Sequence, residues 1–296
     1  MKNYPLGIQL YSMKVSCHKN LEKTLAQISK IGYQGVEFHT DYGFSLSEIK
    51  HLLDKYQLKC WGYHIPLNHL NEENLNQTIA KQKLIDNQNI IIPTLVKMEP
   101  QNKITNHLKG CFPFIIPIYR KLKNFIKESD FQLAQRKLPL QKQFWVENAS
   151  TLNEIADKIN NHGLCLSYHN HEIEFFKIET SFPFEILYQH LSSKVNFQFD
   201  IGNILKTEYS PYEIFKLFHQ KISSLHIKSI NLDDDINSTG IETNQLKNIL
   251  GTFLTKNLSN WAIIEFDTDN EQNEIILASR YFQKIQDLIY NIKNNS

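Results

Sequence analysis

Short apolar runs alternate with amphipathic stretches along the whole chain. The runs are bounded by Gly, Pro, Asn and Ser and have the length of buried parallel strands, about 4–8 residues. They predict strands at residues 6–13, 35–38, 59–65, 89–95, 163–169, 195–201, 223–230 and 261–266. The stretches between them repeat apolar positions every three to four residues and predict helices at 21–31, 46–56, 71–85, 151–161, 184–191, 211–220, 244–254 and 277–292.

Eight strand-then-helix units in one chain favour a (β/α)8 TIM barrel over an open doubly wound sheet. A doubly wound sheet would usually carry a glycine-rich phosphate loop after its first strand, and the sequence has none there. We therefore predict an α/β fold in which residues 1–296 form a single barrel domain.

The pattern blurs between the fourth and fifth predicted strands, over about residues 97–142. Basic residues far outnumber acidic ones here, and the segment GCFPFIIPIY is apolar but too short to span a bilayer. We interpret this region as a basic insert in a barrel loop. A solvated charged loop is favoured over an interaction surface.

Composition narrows the class of protein without naming a partner. A formal net charge of +1 with 21% charged residues argues against a nucleic-acid-coating chain. The four cysteines are scattered with no CxxC pair, which fits a reducing compartment, and the N-terminus lacks the apolar core of a signal peptide. We predict a cytoplasmic protein with no membrane or nucleic-acid partner. Its oligomeric state is left open, a homo-oligomer included.

The most informative stretch is GLCLSYHNHEIEF at residues 163–175, where an apolar strand runs into a group of polar residues. In an extended chain His169 and His171 point to one face, and Glu172 and Glu174 to the other. Such residues either transfer protons and bind metals or merely cap backbone groups in a loop. An isolated His-x-His favours the second interpretation.

The barrel prediction strengthens the functional interpretation, because all strand ends of a barrel meet at one mouth. The polar residues at or just past the predicted strand ends are Glu37, His64, His169, His171, Glu174, Asp200, His226, Lys228, Glu265 and Asp267. Each alone has an ordinary explanation as a helix cap or salt bridge. Two glutamates, an aspartate and a histidine together suit one divalent ion, Mn²⁺, Mg²⁺, Co²⁺ or Zn²⁺, and the absence of cysteine argues against a structural zinc site.

The sequence also resembles the xylose isomerase-like TIM barrels, in particular the sugar phosphate isomerase/epimerase branch with its inosose dehydratase-like members. The resemblance runs along nearly the whole chain. It is carried by LGIQLYS, GYQGVEF, YHNHEIEF, FDIGN, LHIK and IIEFD. It implies that the metal ligands are Glu174, Asp200, His226 and Glu265, although His169 or His171 is an alternative ligand after the fifth strand.

Such a site implies proton abstraction next to a carbonyl of a sugar, sugar phosphate or polyol, through a metal-stabilised enediolate. Glu174 and Glu265 would be the acid/base pair. The predicted substrate contacts are Glu37, His64, His169, His171 and Lys228. The same intermediate leads to isomerisation, to epimerisation or to dehydration by an inosose or keto-sugar dehydratase, and the sequence does not choose among them.

Two features depart from the resemblance, namely Ser229, where relatives usually carry aspartate, and the basic insert. They keep a non-catalytic binding protein on a retained barrel as an alternative. An abasic-site endonuclease would also use this barrel. It would need a histidine-rich three-metal cluster and a DNA-binding groove, which the near-neutral charge disfavours.

Overall fold

The computed structural model describes residues 5–95, 141–178, 180–228, 230, 232, 241–256 and 261–294. Its strands are β1 Leu6–Gln9, β2 Gly35–Phe38, β3 Lys59–His64, β4 Asn89–Ile92, β5 Cys165–His169, β6 Val195–Asp200, β7 Ile222–Ile227 and β8 Trp261–Ile264. Its helices are α1 Lys14–Ile31, α2 Leu46–Lys55, α3 Leu75–Leu84, α4 Lys142–Asn160, α5 Pro183–His190, α6 Ile201–Ile204, α7 Pro211–Phe218, α8 Thr243–Lys256 and α9 Glu271–Asn294. Residues 97–140 of the insert and Ser229 lie outside the described residues.

The eight strands form a closed parallel barrel in chain order. Each strand pairs in parallel with the next, and β1 closes the barrel by pairing with β8 through Leu6 and Ala262. The strands alternate with helices, so the predicted (β/α)8 TIM barrel is confirmed.

Several element boundaries differ from the prediction. β1 ends at Gln9, four residues early, because residues 10–13 form a 3-10 helix capped by the Gln9 side chain. α4 begins at Lys142, nine residues before the predicted helix, and so includes the last residue of the predicted insert. α3 begins at Leu75, after a separate 3-10 helix over Leu67–Leu70.

Local sequence signals explain several helix ends. Ser45 and Glu48 form a capping box at the start of α2, and Gly32 ends α1 with a φ of 117°, a conformation that favours glycine. None of the helices within the described ranges is both long and apolar enough to cross a membrane.

The charged side chains of the barrel interior lie towards the carboxyl ends of its strands. Near the amino ends of the strands, the Trp261 ring lies over Gly7 and Gly35. A Cβ atom at Gly35 would lie 2.7 Å from that ring. The carboxyl ends of the strands instead carry buried polar and charged side chains. Burying such groups is costly unless they are paired or bind a ligand, so this end of the barrel is the candidate site.

Candidate active site

The buried and half-buried polar residues at the carboxyl ends of the strands form one connected cluster. Every second side chain of a strand faces the same side, so Gln198 and Asp200 of β6 both point into the barrel. The strand register places His169 beside Gln198 and His226 beside Asp200. The cluster consists of Gln9, Glu37, His64, His169, Gln198, Asp200, His226 and Glu265.

Glu37 lies at the centre of this cluster. Its Oε1 accepts hydrogen bonds of 2.7 Å from the Nε2 atoms of Gln9, His64 and His226. Its Oε2 accepts one of 2.6 Å from Gln198 Nε2. Burial by itself raises the pKa of Glu37, but the charge of His226 and the hydrogen bonds from His226 and His64 outweigh it and bring the pKa to about 2. Glu37 is therefore a carboxylate that orients its neighbours.

The hydrogen bond to Glu37 decides which nitrogen of His226 faces the mouth. Because Nε2 donates to Glu37, Nδ1 is directed at two carboxylates, 2.8 Å from Glu265 Oε2 and 3.8 Å from Asp200 Oδ2. The contact with Glu265 is an ion pair, and Nδ1 is buried without a hydrogen bond. Burial lowers the pKa of His226, but Glu37 and Glu265 together raise it to about 10.

Gln198 orients His169 in the opposite sense. The amide nitrogen of Gln198 donates to Glu37, so its Oε1 must accept from His169 Nδ1, at 2.9 Å. The proton on Nδ1 leaves Nε2 of a neutral His169 with a free lone pair. This atom lies 3.6 Å from Asp200 Oδ2. Burial, followed by the charge of His226, holds the pKa of His169 well below its usual value, so the ring is neutral.

The two carboxylate oxygens of Asp200 have different surroundings. Its Oδ1 accepts the Asn203 N–H at 2.7 Å and caps α6, while Oδ2 is buried and has no hydrogen-bond partner. Burial and the nearby Glu265 charge raise the pKa of Asp200 to about 6.

Glu265 follows β8 directly and contacts both cations of the site. Its Oε1 accepts a hydrogen bond of 2.7 Å from Lys228 Nζ, and its Oε2 faces His226. Burial raises its pKa, but His226 and Lys228 reverse this and hold the pKa well below the usual range. Lys228 also lies 3.6 Å from the exposed Asp267.

The donor set fits a divalent ion. The candidate ligand atoms of Asp200, His226 and Glu265 all lie within 4.8 Å of one another, as do those of His64, His169 and His226. Two atoms of the first group, Asp200 Oδ2 and His226 Nδ1, are buried without a hydrogen bond, although buried polar atoms in proteins are almost always hydrogen-bonded, and the second forms an ion pair with Glu265. An ion between them would satisfy both.

The structure does not bring Glu174 to this group, contrary to the expectation from the sequence. Glu174 lies in a 3-10 helix after β5 and is fully buried. Its Oε1 accepts from the Tyr168 hydroxyl and its Oε2 from the His171 backbone N–H, each at 2.6 Å. Tyr168 alternates with His169 along β5 and packs against Phe197 of β6 on the outer face of the sheet, so the Glu174 carboxylate is directed away from the barrel mouth.

The remaining predicted contacts surround the cluster. The His64 Nε2–H donates to Glu37, which leaves Nδ1 as an acceptor. His171 packs its ring edge-on against His169, with ring centroids 4.9 Å apart, and its buried Nδ1 has no hydrogen-bond partner. Burial lowers the pKa of His171 to about 4, so its ring is neutral. Both imidazoles can receive hydroxyl groups of a ligand.

Comparison with solved structures identifies the fold. A sugar phosphate isomerase/epimerase from Parabacteroides distasonis aligns with a TM-score of 0.68 at 14% identity, over 97% of this chain and 94% of that one. A probable 3-DHS dehydratase from Bacillus anthracis aligns with a TM-score of 0.61 at 9% identity, over 94% and 98% of the two chains. The chain has the xylose isomerase-like TIM-barrel fold. No family model and no curated protein matches the sequence.

The xylose isomerase-like barrel serves more than one chemistry. A family 2 AP endonuclease from Brucella melitensis also aligns with this chain, with a TM-score of 0.61 at 12% identity over 94% of this chain and 99% of that one. Fold alone therefore leaves the reaction open, and the site must decide it.

Within this fold the structure adds functional residues that the sequence analysis missed. Gln198 shares the strand parity of Asp200, a signal that would have revealed it. Asn170 and Asn203 stand inside the motifs YHNH and FDIGN, but no pattern shows their role. The Asn170 side chain donates to Asp200 O at 3.2 Å and accepts from Asp200 N at 2.9 Å. Asn203 Nδ2 donates to Asn170 O at 3.1 Å.

Proposed function

We propose that the protein is a divalent-metal-dependent enzyme that removes the proton next to a carbonyl group in a sugar or sugar phosphate, and that it acts as an isomerase. One observation carries this proposal. Asp200, His226 and Glu265 converge at the barrel mouth, and two of their ligand atoms are buried without hydrogen-bond partners.

The ion would be held by Asp200 Oδ2, His226 Nδ1, Glu265 Oε2 and His169 Nε2. His169 replaces Glu174 in this set because its Nε2 faces Asp200, whereas both Glu174 oxygens bind other groups. Two imidazoles and two carboxylates suit Mn²⁺, Co²⁺ or Zn²⁺ better than Mg²⁺, which prefers oxygen ligands. Glu37 and Gln198 orient the two imidazoles from behind, as outer-shell carboxylates and amides commonly do.

The ion, when bound, supplies the Lewis acidity that stabilises negative charge on the carbonyl oxygen of the substrate. Glu265 takes the proton from the neighbouring carbon, since it is ionised and stands at the rim of the site. Lys228 holds Glu265 Oε1 in place. His64 and His171 receive substrate hydroxyls through their Nδ1 atoms.

The position of Glu174 bears on the outcome of the reaction. Epimerisation needs acid/base groups on both sides of one carbon, and the partner that the sequence suggested for Glu265 is turned away from the mouth. A single base can move a proton between two adjacent carbons on one face, which gives isomerisation. The same observation favours a second candidate, a keto-sugar or inosose dehydratase, because loss of a β-hydroxyl also needs only one base.

The other interpretations have less support. The candidate ligands in the described part of the chain form two groups that share His226, enough for one ion but not for the three of an abasic-site endonuclease. A non-catalytic binding protein would have no need for an ionised Glu265 beside the candidate metal ligands Asp200 and His226.

We expect the protein to bind about one divalent ion per chain, because the candidate ligand atoms of Asp200, His226 and Glu265 lie within 4.8 Å of one another at the barrel mouth. Elemental analysis after purification and titration calorimetry with Mn²⁺, Co²⁺, Zn²⁺ and Mg²⁺ would measure this. A preparation without metal that shows no thermal shift with any of these ions would contradict the proposal.

Metal affinity should rise with pH. An ion at His226 Nδ1 must displace a proton, since the pKa of His226 is about 10 without an ion. Below that pH the apparent affinity should fall about tenfold for each pH unit, and more steeply below the Asp200 pKa of about 6. Calorimetry at several pH values, corrected for metal hydrolysis, would show the slope. An affinity that stays constant from neutral pH to pH 9 would exclude His226 as a ligand.

A further inference from the structure

We infer that Glu174 is a positioning residue that holds the fifth-strand ligand His169 in its metal-binding orientation from the opposite face of β5. The inference rests on the proposed metal site. It assigns Glu174 a role other than the ligand and base that its place in the sequence suggested.

Glu174 bridges the residues on either side of His169. The Tyr168 hydroxyl, one residue before His169, donates to Glu174 Oε1, and the His171 N–H, two residues after it, donates to Oε2. Both hydrogen bonds are 2.6 Å long, and for the Tyr168 hydroxyl this is the usual length of a hydrogen bond to a carboxylate. The carboxylate thus fixes the strand and the loop at the point where the ligand leaves the sheet.

The segment that follows His169 is also fixed on its other side, to the proposed metal ligand Asp200. The Asn170 side chain pairs with both the N–H and the carbonyl of Asp200. His169 therefore lies between two restraints, Glu174 behind the strand and Asn170 towards β6. With Nδ1 on Gln198, the ring keeps its Nε2 directed at Asp200 Oδ2.

Burial of the Glu174 carboxylate is unfavourable, because it removes a charged group from water. The hydrogen bonds that the carboxylate accepts must offset this free-energy cost. Burial is the main cause that raises the pKa of Glu174 to about 7. A carboxylate is nevertheless suited to the task, because it accepts from two donors at once, the buried Tyr168 hydroxyl and the part-buried His171 N–H. Ligand positioning, unlike loop stabilisation, changes the bound metal itself, so the test measures the metal.

The test compares Co²⁺ binding by the full-length wild-type protein, Glu174→Ala, Glu174→Gln and Tyr168→Phe. Tyr33→Phe is the matched control. It also removes a buried tyrosine hydroxyl, which donates to Ala278 O at 2.9 Å. Tyr33 lies in the loop between α1 and β2, far from the mouth. The measurements are the Co²⁺ dissociation constant, the visible absorption spectrum of bound Co²⁺ and the melting temperature.

We expect Glu174→Ala to weaken Co²⁺ binding about 10–100-fold, the usual effect of losing a group that orients a ligand, and to change the Co²⁺ spectrum. Tyr168→Phe should show a smaller change in the same direction. Glu174→Gln should recover part of the affinity, because its amide oxygen can accept the His171 N–H. Tyr33→Phe should lower the melting temperature without changing either Co²⁺ measurement.

Wild-type affinity and spectrum in Glu174→Ala would overturn the inference. If that variant does not fold, the same result in Tyr168→Phe would overturn it. Changes in Tyr33→Phe equal to those in Tyr168→Phe would also do so, since they would show a general stability effect. A wild-type protein that binds no Co²⁺ would refute the proposed metal function itself, and this inference with it.

Discussion

Replacing Glu265 with glutamine should slow proton exchange at the carbon beside the substrate carbonyl by about 10²–10⁴-fold, the usual worth of a general base. Glutamine keeps the size of the side chain and an oxygen for the Lys228 hydrogen bond, so the fold should survive. An amide cannot take the proton. Some metal affinity should remain, because three ligands and a weakly coordinating amide oxygen are left.

The measurement is deuterium incorporation from D₂O, followed by NMR with the metal-loaded protein. The panel should contain ketoses, their phosphates, inososes and 3-keto sugars, and loss of a hydroxyl group in any of them would identify the dehydratase. Glu213→Gln is a matched control, because Glu213 is an exposed glutamate paired with Lys216 on α7. Undiminished exchange in Glu265→Gln would show that the base is another residue. No exchange by a fully metallated wild-type protein would favour the binding-protein alternative.

The second large effect concerns Asp200→Asn, which should lose most of its metal while keeping the fold. Asparagine can still accept the Asn203 N–H and cap α6, since Asn and Asp are equally good caps. The substitution removes the negative charge of the open oxygen. Turned towards His226 Nδ1, the new amide group donates rather than coordinates. We expect a loss in affinity above the roughly 10–100-fold that outer-shell changes cost.

Asp157→Asn provides the control, because Asp157 is an exposed aspartate paired with Lys194 on the protein surface. Metal content, affinity and melting temperature should be compared in parallel. Full metal occupancy in Asp200→Asn would mean that the ligand set is wrong. His226→Ala should also lose metal. Unlike Asp200→Asn, it should lower stability by up to about 5 kcal/mol, because it removes one partner of the buried Glu37 carboxylate.

The fold was largely predictable from the sequence because the strands and helices of a barrel have recognisable local sequence patterns. Apolar runs such as 35–38 and 195–201 are buried on both faces, and glycine, proline and serine separate them from the helices. β2 begins and ends at the predicted residues. The predicted boundaries failed where a side chain formed a turn, as Gln9 does by capping the 3-10 helix that follows β1.

Part of the site was also determined by the sequence alone. Asp200 and His226 lie at or near the ends of their strands, and Glu265 directly follows β8. Parallel barrel strands all end at one mouth, so their convergence follows from the topology. The sequence therefore determined most of the strand ends that contribute to the cluster, but not that of β1, which supplies Gln9.

The proposal of His169 rather than Glu174 as a ligand depends on the tertiary structure alone. The alternation of side chains tells which face a residue occupies only while the chain remains extended. β5 ends at His169, and the chain then turns into a 3-10 helix. That turn carries Glu174 behind the strand to Tyr168 and leaves His169 facing Asp200. The orientation of each imidazole depends in the same way on Glu37 and Gln198, which lie on other strands, because a ring takes the direction that its hydrogen-bond partners in space impose.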